Sequence, residues 1–225
     1  MYSFVLGLLS EYNMDNPWMN IKCKTSEYIA DCDRSESLIY DKFDFTMIPH
    51  PYMGDPINSE IFLLNGNPND GGNHRIFTKE HREVVLKNLE HGINDYPLYG
   101  INDEFKNYFV FKWWHKKLFP IIQKVKNSKR VSKNIFVAEY LPYFSDKYIQ
   151  GIRVPSQGYT LDIINKAIAN GKMIIIMRAR RDWESSIPKL KDYCNKFVLR
   201  NPQNVIISPG NMDDGVFEEL VKRIK

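Results

Sequence analysis

Four short apolar runs punctuate the chain: Glu60–Leu64, Asn134–Ala138, Met173–Met177 and Asn204–Ile207. Each is rich in β-branched and aliphatic residues and is followed at once by a polar residue, the pattern of a buried strand. Between them apolar positions recur at helical spacing over roughly Thr78–His91, Lys112–Lys126, Leu161–Asn170 and Ser185–Leu199, and a last helix is expected over Asp213–Ile224. Thr78 suits an N-cap, and Gly92 and Gly171 suit C-terminal stops. Strands too apolar to leave a wet face, alternating with helices, predict a three-layer α/β/α fold around a central, mostly parallel four-stranded sheet. The first 50 residues lack that alternation but carry Trp18, Tyr28 and Tyr40, so they are expected to wrap a single domain of 225 residues as an N-terminal extension.

Composition narrows the class. With 43% hydrophobic and 26% charged residues and only 12 Gly and 12 Pro, the chain is neither disordered nor repetitive. Cys23, Cys32 and Cys194 are far apart and form no C-x-x-C pair, which excludes a disulfide framework, a zinc ribbon and a four-cysteine cluster. The apolar start, Phe4 to Leu9, has no basic flank, and no run approaches the ~18 residues of a membrane span, so a cytoplasmic protein is expected. The net charge of +4 hides an asymmetry: residues 1–60 hold 4 Lys and Arg against 10 Asp and Glu, whereas the other 165 hold 27 against 17. Residues 111–133 carry seven Lys and one Arg with no acidic residue. That density suits a polyanionic partner, and equally a solvated helix face.

In open α/β sheets ligands bind beyond the carboxyl ends of the strands, so the residues there carry the candidate chemistry. Asn65-Gly66-Asn67-Pro68-Asn69-Asp70-Gly71-Gly72 follows the first run. It has neither the Lys-Ser/Thr ending of a P-loop nor G-x-G-x-x-G, which disfavours triphosphates and NAD. It offers the Asn67 amide and the Asp70 carboxylate for holding a water, or else it is simply a tight turn. Glu139 ends the second run, where a buried carboxylate must be paired in a structural ion pair or bind something. Tyr143 and Phe144 then follow as stacking or core aromatics. Arg178, Arg180 and Arg181 follow the third run and suit phosphate or carboxylate recognition, with one of them expected in an internal salt bridge. Trp113 and Trp114 are adjacent, so they face different sides of their helix and are read chiefly as packing. His74, His81 and His91 are spaced too widely for a helical metal pair. No G-x-S-x-G elbow supports acyl transfer.

Taken in order, Asn65-Gly66-Asn67-Pro68-Asn69 and Ser208-Pro209-Gly210-Asn211 resemble the two motifs of the uracil-DNA glycosylase superfamily. Its members pair G-x-N-P-G or G-Q-D-P-Y after the first strand with H-P-S or N-P-S after the last. Glu139-Tyr140-Leu141-Pro142 is similar to the N-x-x-P segment of the single-strand-selective branch. A largely uncharacterised bacterial branch is also similar, through Pro51 to Pro56, Trp113-Trp114 with Lys116-Lys117-Leu118, Ser156-Gln157-Gly158-Tyr159 and Arg178 to Trp183. Asn69 stands where the family has glycine, and Ser208 where it has His or Asn.

The resemblance implies a DNA glycosylase that hydrolyses an N-glycosidic bond through an oxocarbenium-like state, using a placed water and donors to the leaving base. Asn67 and Asp70 would handle the water, and Ser208 or Asn211 would donate to the base. Gly66, Pro68, Phe77, Glu139 and Tyr143 would meet the base. Arg178, Arg180 and Arg181 would bind phosphates around a nucleotide flipped from the stack. An ionised Glu139 accepts from the amine of cytosine or adenine and repels the carbonyl edge of uracil, so a modified or foreign base is expected, such as a modified cytosine of phage DNA. The chain is expected to act as a monomer on DNA, away from membranes, with no cofactor and no metal. The alternatives are a non-catalytic nucleic-acid-binding protein of the same fold and a hydrolase of small nucleosides or nucleotides.

Overall fold

The computed structural model describes residues 16–19, 21, 27–36, 41–69, 78–92 and 94–224. Among these a five-stranded mixed sheet forms from β1 (Tyr52–Met53), β2 (Ile61–Asn65), β3 (Ile135–Glu139), β4 (Met173–Ile176) and β5 (Lys196–Val198), in the order β1-β3-β2-β4-β5. β2, β3, β4 and β5 run parallel, and β1 closes one edge antiparallel to β3. Every residue of β2, β3 and β4 is buried, as expected of strands covered on both faces. The α/β class read from the sequence therefore holds, with a fifth, antiparallel strand too short to leave a periodic signal.

Six α-helices accompany the sheet in the described residues: α1 (Lys79–Leu89), α2 (Phe109–Val125), α3 (Ser128–Asn134), α4 (Gln157–Ala169), α5 (Arg180–Ser186) and α6 (Val216–Arg223). Thr78 caps α1 by accepting a hydrogen bond from the His81 amide at 3.4 Å, and the Gly92 amide closes that helix on the Lys87 carbonyl at 2.8 Å. Gly171 follows α4 with φ +68°, a left-handed conformation that glycine adopts without strain.

Two expectations are corrected. The helix read over Ser185–Leu199 is instead the end of α5, a 3₁₀ turn at Pro188–Leu190 and strand β5. Pro188 supplies no amide for the helical ladder and biases Ile187 away from helical backbone, so the helix stops at Ser186. The strand read over Asn204–Ile207 is irregular. Its apolar residues are core, with Val205 and Ile207 fully buried, but its backbone is satisfied elsewhere. The Asn211 amide donates to the carbonyls of Asn204 and Ile206, both at 2.9 Å, and the Ile207 amide donates to the Lys117 carbonyl of α2 at 3.0 Å. With those groups bonded away from the sheet, no ladder forms.

The N-terminal residues share the main core. Trp18 is fully buried, and Asn16 donates to the Leu89 carbonyl at 2.8 Å. The Tyr143 hydroxyl donates to buried Asp33 at 2.6 Å and accepts from the Ala30 amide at 3.0 Å. Its ring packs against Trp18, Phe43 and Phe45. Tyr40 lies outside the described residues. No helix among them is long and apolar enough to cross a membrane.

Candidate functional site

Parallel pairing sets Asn65 opposite Glu139, each the last residue of its strand. In-register neighbours in a sheet point to the same face, so the two side chains lie together, and Asn65 Nδ2 donates to Glu139 Oε1 at 3.0 Å. Both residues are buried, at 4% exposure, and both keep a buried oxygen, Asn65 Oδ1 and Glu139 Oε2, without a hydrogen-bond partner. Such atoms are costly inside a protein unless something is brought to them.

These two oxygens belong to residues that line a cavity of about 700 Å3. Pro68 and Asn67 enter it from the loop after β2, Phe144 from the loop after β3, and Arg178 from the residue pair after β4. His50 and His81 line it from the segment before β1 and from α1, and Tyr108, Trp113 and Trp114 line it from the start of α2 and the residue before it. Aromatic faces thus share the wall with amides, two carboxyl groups and several cations, a mixed lining that suits a polar, flat ligand. His81 stacks on Tyr108 with centroids 4.5 Å apart, and His50 meets Phe144 edge-on at 5.0 Å.

Burial sets the protonation states. It pushes the Glu139 carboxyl up to about 8, against the opposing pull of the Asn65 hydrogen bond and the Arg178 charge, so the acid is protonated at neutral pH. Burial, with His81 nearby, pushes His50 down to about 3, and burial pushes His81 down to about 4. Both imidazoles are neutral at pH 7. His50 Nε2 is a third buried polar atom in this wall without a hydrogen-bond partner.

The loops after β2 and β3 are stitched together. Asn67 Nδ2 donates to Ser145 Oγ at 2.9 Å and to the Ser145 carbonyl at 3.1 Å, and Asn69 Nδ2 donates to the carbonyls of Ser145 and Asp146 at 3.0 and 2.9 Å. Carbonyl acceptors around one nitrogen fix the Asn67 amide orientation and leave its Oδ1 as an acceptor with no donor among the described residues. Gly66 sits behind this loop. A Cβ there would stand 3.0 Å from the Tyr148 ring, which lies against the backbone with its hydroxyl donating to Asp182 at 2.5 Å.

Of the residues singled out from the sequence, Asn67, Pro68, Glu139 and Arg178 line the cavity together, with Gly66 beneath them. Glu139 holds no ion pair with a described residue, so its role is not that of a structural salt bridge. Ser208, Asn211, Tyr143, Arg180 and Arg181 are not part of the lining. Asn211 spends its side chain on the Asn201 to Ile206 loop, where its oxygen accepts from the Asn201 amide at 2.7 Å. Tyr143 anchors the N-terminal residues, and Arg180 pairs with Glu184 at 3.0 Å. Asp70, Phe77 and His74 lie outside the described residues.

The sequence reading missed Asn65, His50 and His81 as lining residues. Asn65 was within reach, because a polar residue closing an apolar strand carries the same signal that drew notice to Glu139. No group of His, Cys, Asp and Glu among the described residues could hold a metal ion. No family model, curated protein or solved structure matches the chain.

Proposed function

We propose that the chain hydrolyses the N-glycosidic bond of a modified or foreign base in DNA, on a three-layer fold like that of the uracil-DNA glycosylases, and leaves an abasic site. One observation carries the reading: two unpartnered buried oxygens, Asn65 Oδ1 and Glu139 Oε2, stand side by side in an aromatic cavity at the carboxyl ends of β2 and β3. The two N–H groups of an exocyclic amine, as on cytosine or adenine, match two such acceptors. A flipped base would stack on Phe144 and the α2 aromatics.

In this reaction the water oxygen bonds to the sugar C1′ as the glycosidic bond breaks, the base departs with the bonding pair, and the proton that the water gives up ends on the departed base. Asn67 Oδ1 suits the water, since its amide nitrogen is already engaged by Ser145. Ser208 and Asn211 do not line the cavity, so neither is assigned as donor to the leaving base.

The raised Glu139 value also changes the substrate argument. A carbonyl edge such as that of uracil is repelled only by the ionised form and accepts a hydrogen bond from the acid, whereas an amine is served by either form. Excision of an amine-bearing base should therefore persist above pH 8, where any uracil excision declines.

The direct test incubates the protein with oligonucleotides carrying uracil, cytosine or modified cytosines and counts abasic sites. Removal of uracil alone would overturn the amine reading. Asn67→Ala should lower turnover by roughly a hundredfold or more while oligonucleotide affinity is kept; unchanged turnover would reject Asn67 as the water-holding residue. Steep loss of affinity with salt separates a DNA enzyme from a hydrolase of free nucleosides.

A further inference from the structure

We propose that Lys117 and Arg178, held against the indole of Trp113, form a phosphate-binding subsite beside the cavity. Lys117 lies on α2 one turn after Trp113, with its ammonium 4.4 Å from the indole centroid. Arg178, just after β4, brings its guanidinium carbon to 5.3 Å from the centroid of the same ring. Neither cation makes an ion pair with a described residue, although Glu139 and Asp146 line the cavity that Arg178 lines. Arg178 has only a 3.5 Å contact with the Gln203 carbonyl.

The arrangement runs against ordinary surface behaviour. Lysine carries a flexible stem that reaches water readily, yet Lys117 is only 5% exposed. It sits beside exposed Lys116 and within range of Arg178, and burial and both charges favour its neutral form. A cation on an aromatic face gains from the ring quadrupole, but a second cation on the same ring meets like-charge repulsion that one indole does not offset. An anion between them removes the conflict and accepts from both, and the arginine fork matches a phosphate. Lys112 and Lys147 line the neighbouring wall and extend the positive field.

The subsite deepens the reading above and rests on it for the owner of the phosphate, a phosphodiester flanking the nucleotide in the cavity. The anion chemistry itself can be tested without that reading. Thermal unfolding of the wild-type chain is compared in sodium phosphate and in sodium chloride at equal ionic strength, with Lys117→Met and Arg178→Gln alongside. Phosphate should raise the wild-type Tm above the chloride value, and each variant should lose that increment. In chloride Lys117→Met should unfold at or above the wild-type temperature, because it removes an unpaired cation; a lower temperature means that the lysine serves packing and overturns the subsite.

A fluorescent single-stranded oligonucleotide then supplies the second arm, read as affinity against salt. Either variant should flatten the slope of log K against log salt by about 1. Phosphate protection without oligonucleotide binding keeps the subsite and removes the strand as its ligand. Equal Tm in the two salts, with wild-type oligonucleotide slopes in both variants, would reject it.

Discussion

Glu139 ends β3 with one oxygen held by Asn65 and the other unpartnered, and burial lifts its acid from an ordinary 4.5 to about 8. Between those values the unfolded chain has lost the proton and the folded chain keeps it, so this group's contribution to stability falls as pH rises across that window. The accumulated loss is on the order of 4 kcal/mol by pH 8, and Glu139→Gln, which keeps the hydrogen bond from Asn65, should abolish it. Urea unfolding at pH 5 and pH 8 checks this: on going from pH 5 to pH 8 the wild type should gain less stability than the variant. Of its two expected roles Tyr143 takes the core one, as an anchor rather than a stacking surface. Tyr143→Phe leaves the buried Ala30 amide and Asp33 Oδ2 without their partner, while Asp33 Oδ1 keeps the Ser156 amide, and should cost about 2 kcal/mol by chemical denaturation, with the cavity unaltered.

At the scale of elements, the sheet depends on a tight approach that only one residue permits. Gly54 follows β1 with φ +115°, and a Cβ there would lie 2.7 Å from the Ile135 carbonyl oxygen and 2.9 Å from the Phe136 Cα, both backbone atoms of β3. Gly54→Ala combines a disfavoured conformation with a clash that no side chain can relieve, and should destabilise by on the order of 3 kcal/mol in urea titration. Apolar pattern located β2, β3 and β4 closely, because strands buried on both faces are written as continuous apolar runs. The same signal misread Asn204–Ile207, where burial is real but Asn211 and Lys117 take the backbone bonds, and it overlooked β5, whose Lys196-Phe197-Val198 is half-buried and follows a helix stopped by Pro188. Helical periodicity found α1 with its Thr78 cap, α2, α4 and α6, but missed the first turns of α2 and α4.

Across the whole molecule, four buried titratable groups shape the pH response. His50, His81 and His91 are held down at about 3, 4 and 4 by burial, so the unfolded chain binds more protons than the folded one between those values and 6.5, and stability rises with pH there. Glu139 opposes this and drives the fall above 6.5. Their sum predicts maximal stability at about pH 6.5 to 7, which unfolding experiments across pH 5 to 9 should show. The charge contrast between an acidic N-terminal quarter and a basic remainder takes a physical form in α2 and α3. Lys112, Lys116, Lys124, Lys126, Arg130 and Lys133 are exposed there, and of the eight basic residues in that run only Lys129 is paired with a described residue, Asp95 at 3.0 Å.

What the sequence determined by itself was the α/β class, the burial of three strands and the polar character of their carboxyl ends, because those follow from local pattern and from the unbroken apolar faces of parallel strands. It also determined that Asn67, Glu139 and Arg178 deserved attention, since each is a polar residue close behind an apolar run. Tertiary structure alone decided which of these meet. The register of β2 on β3 puts Asn65 against Glu139, burial leaves an oxygen of each without a partner, and the packing of α2 on the residue pair after β4 lays Lys117 and Arg178 on one indole. Register, desolvation and the facing of distant helices are properties of the assembled core, and no local pattern encodes them.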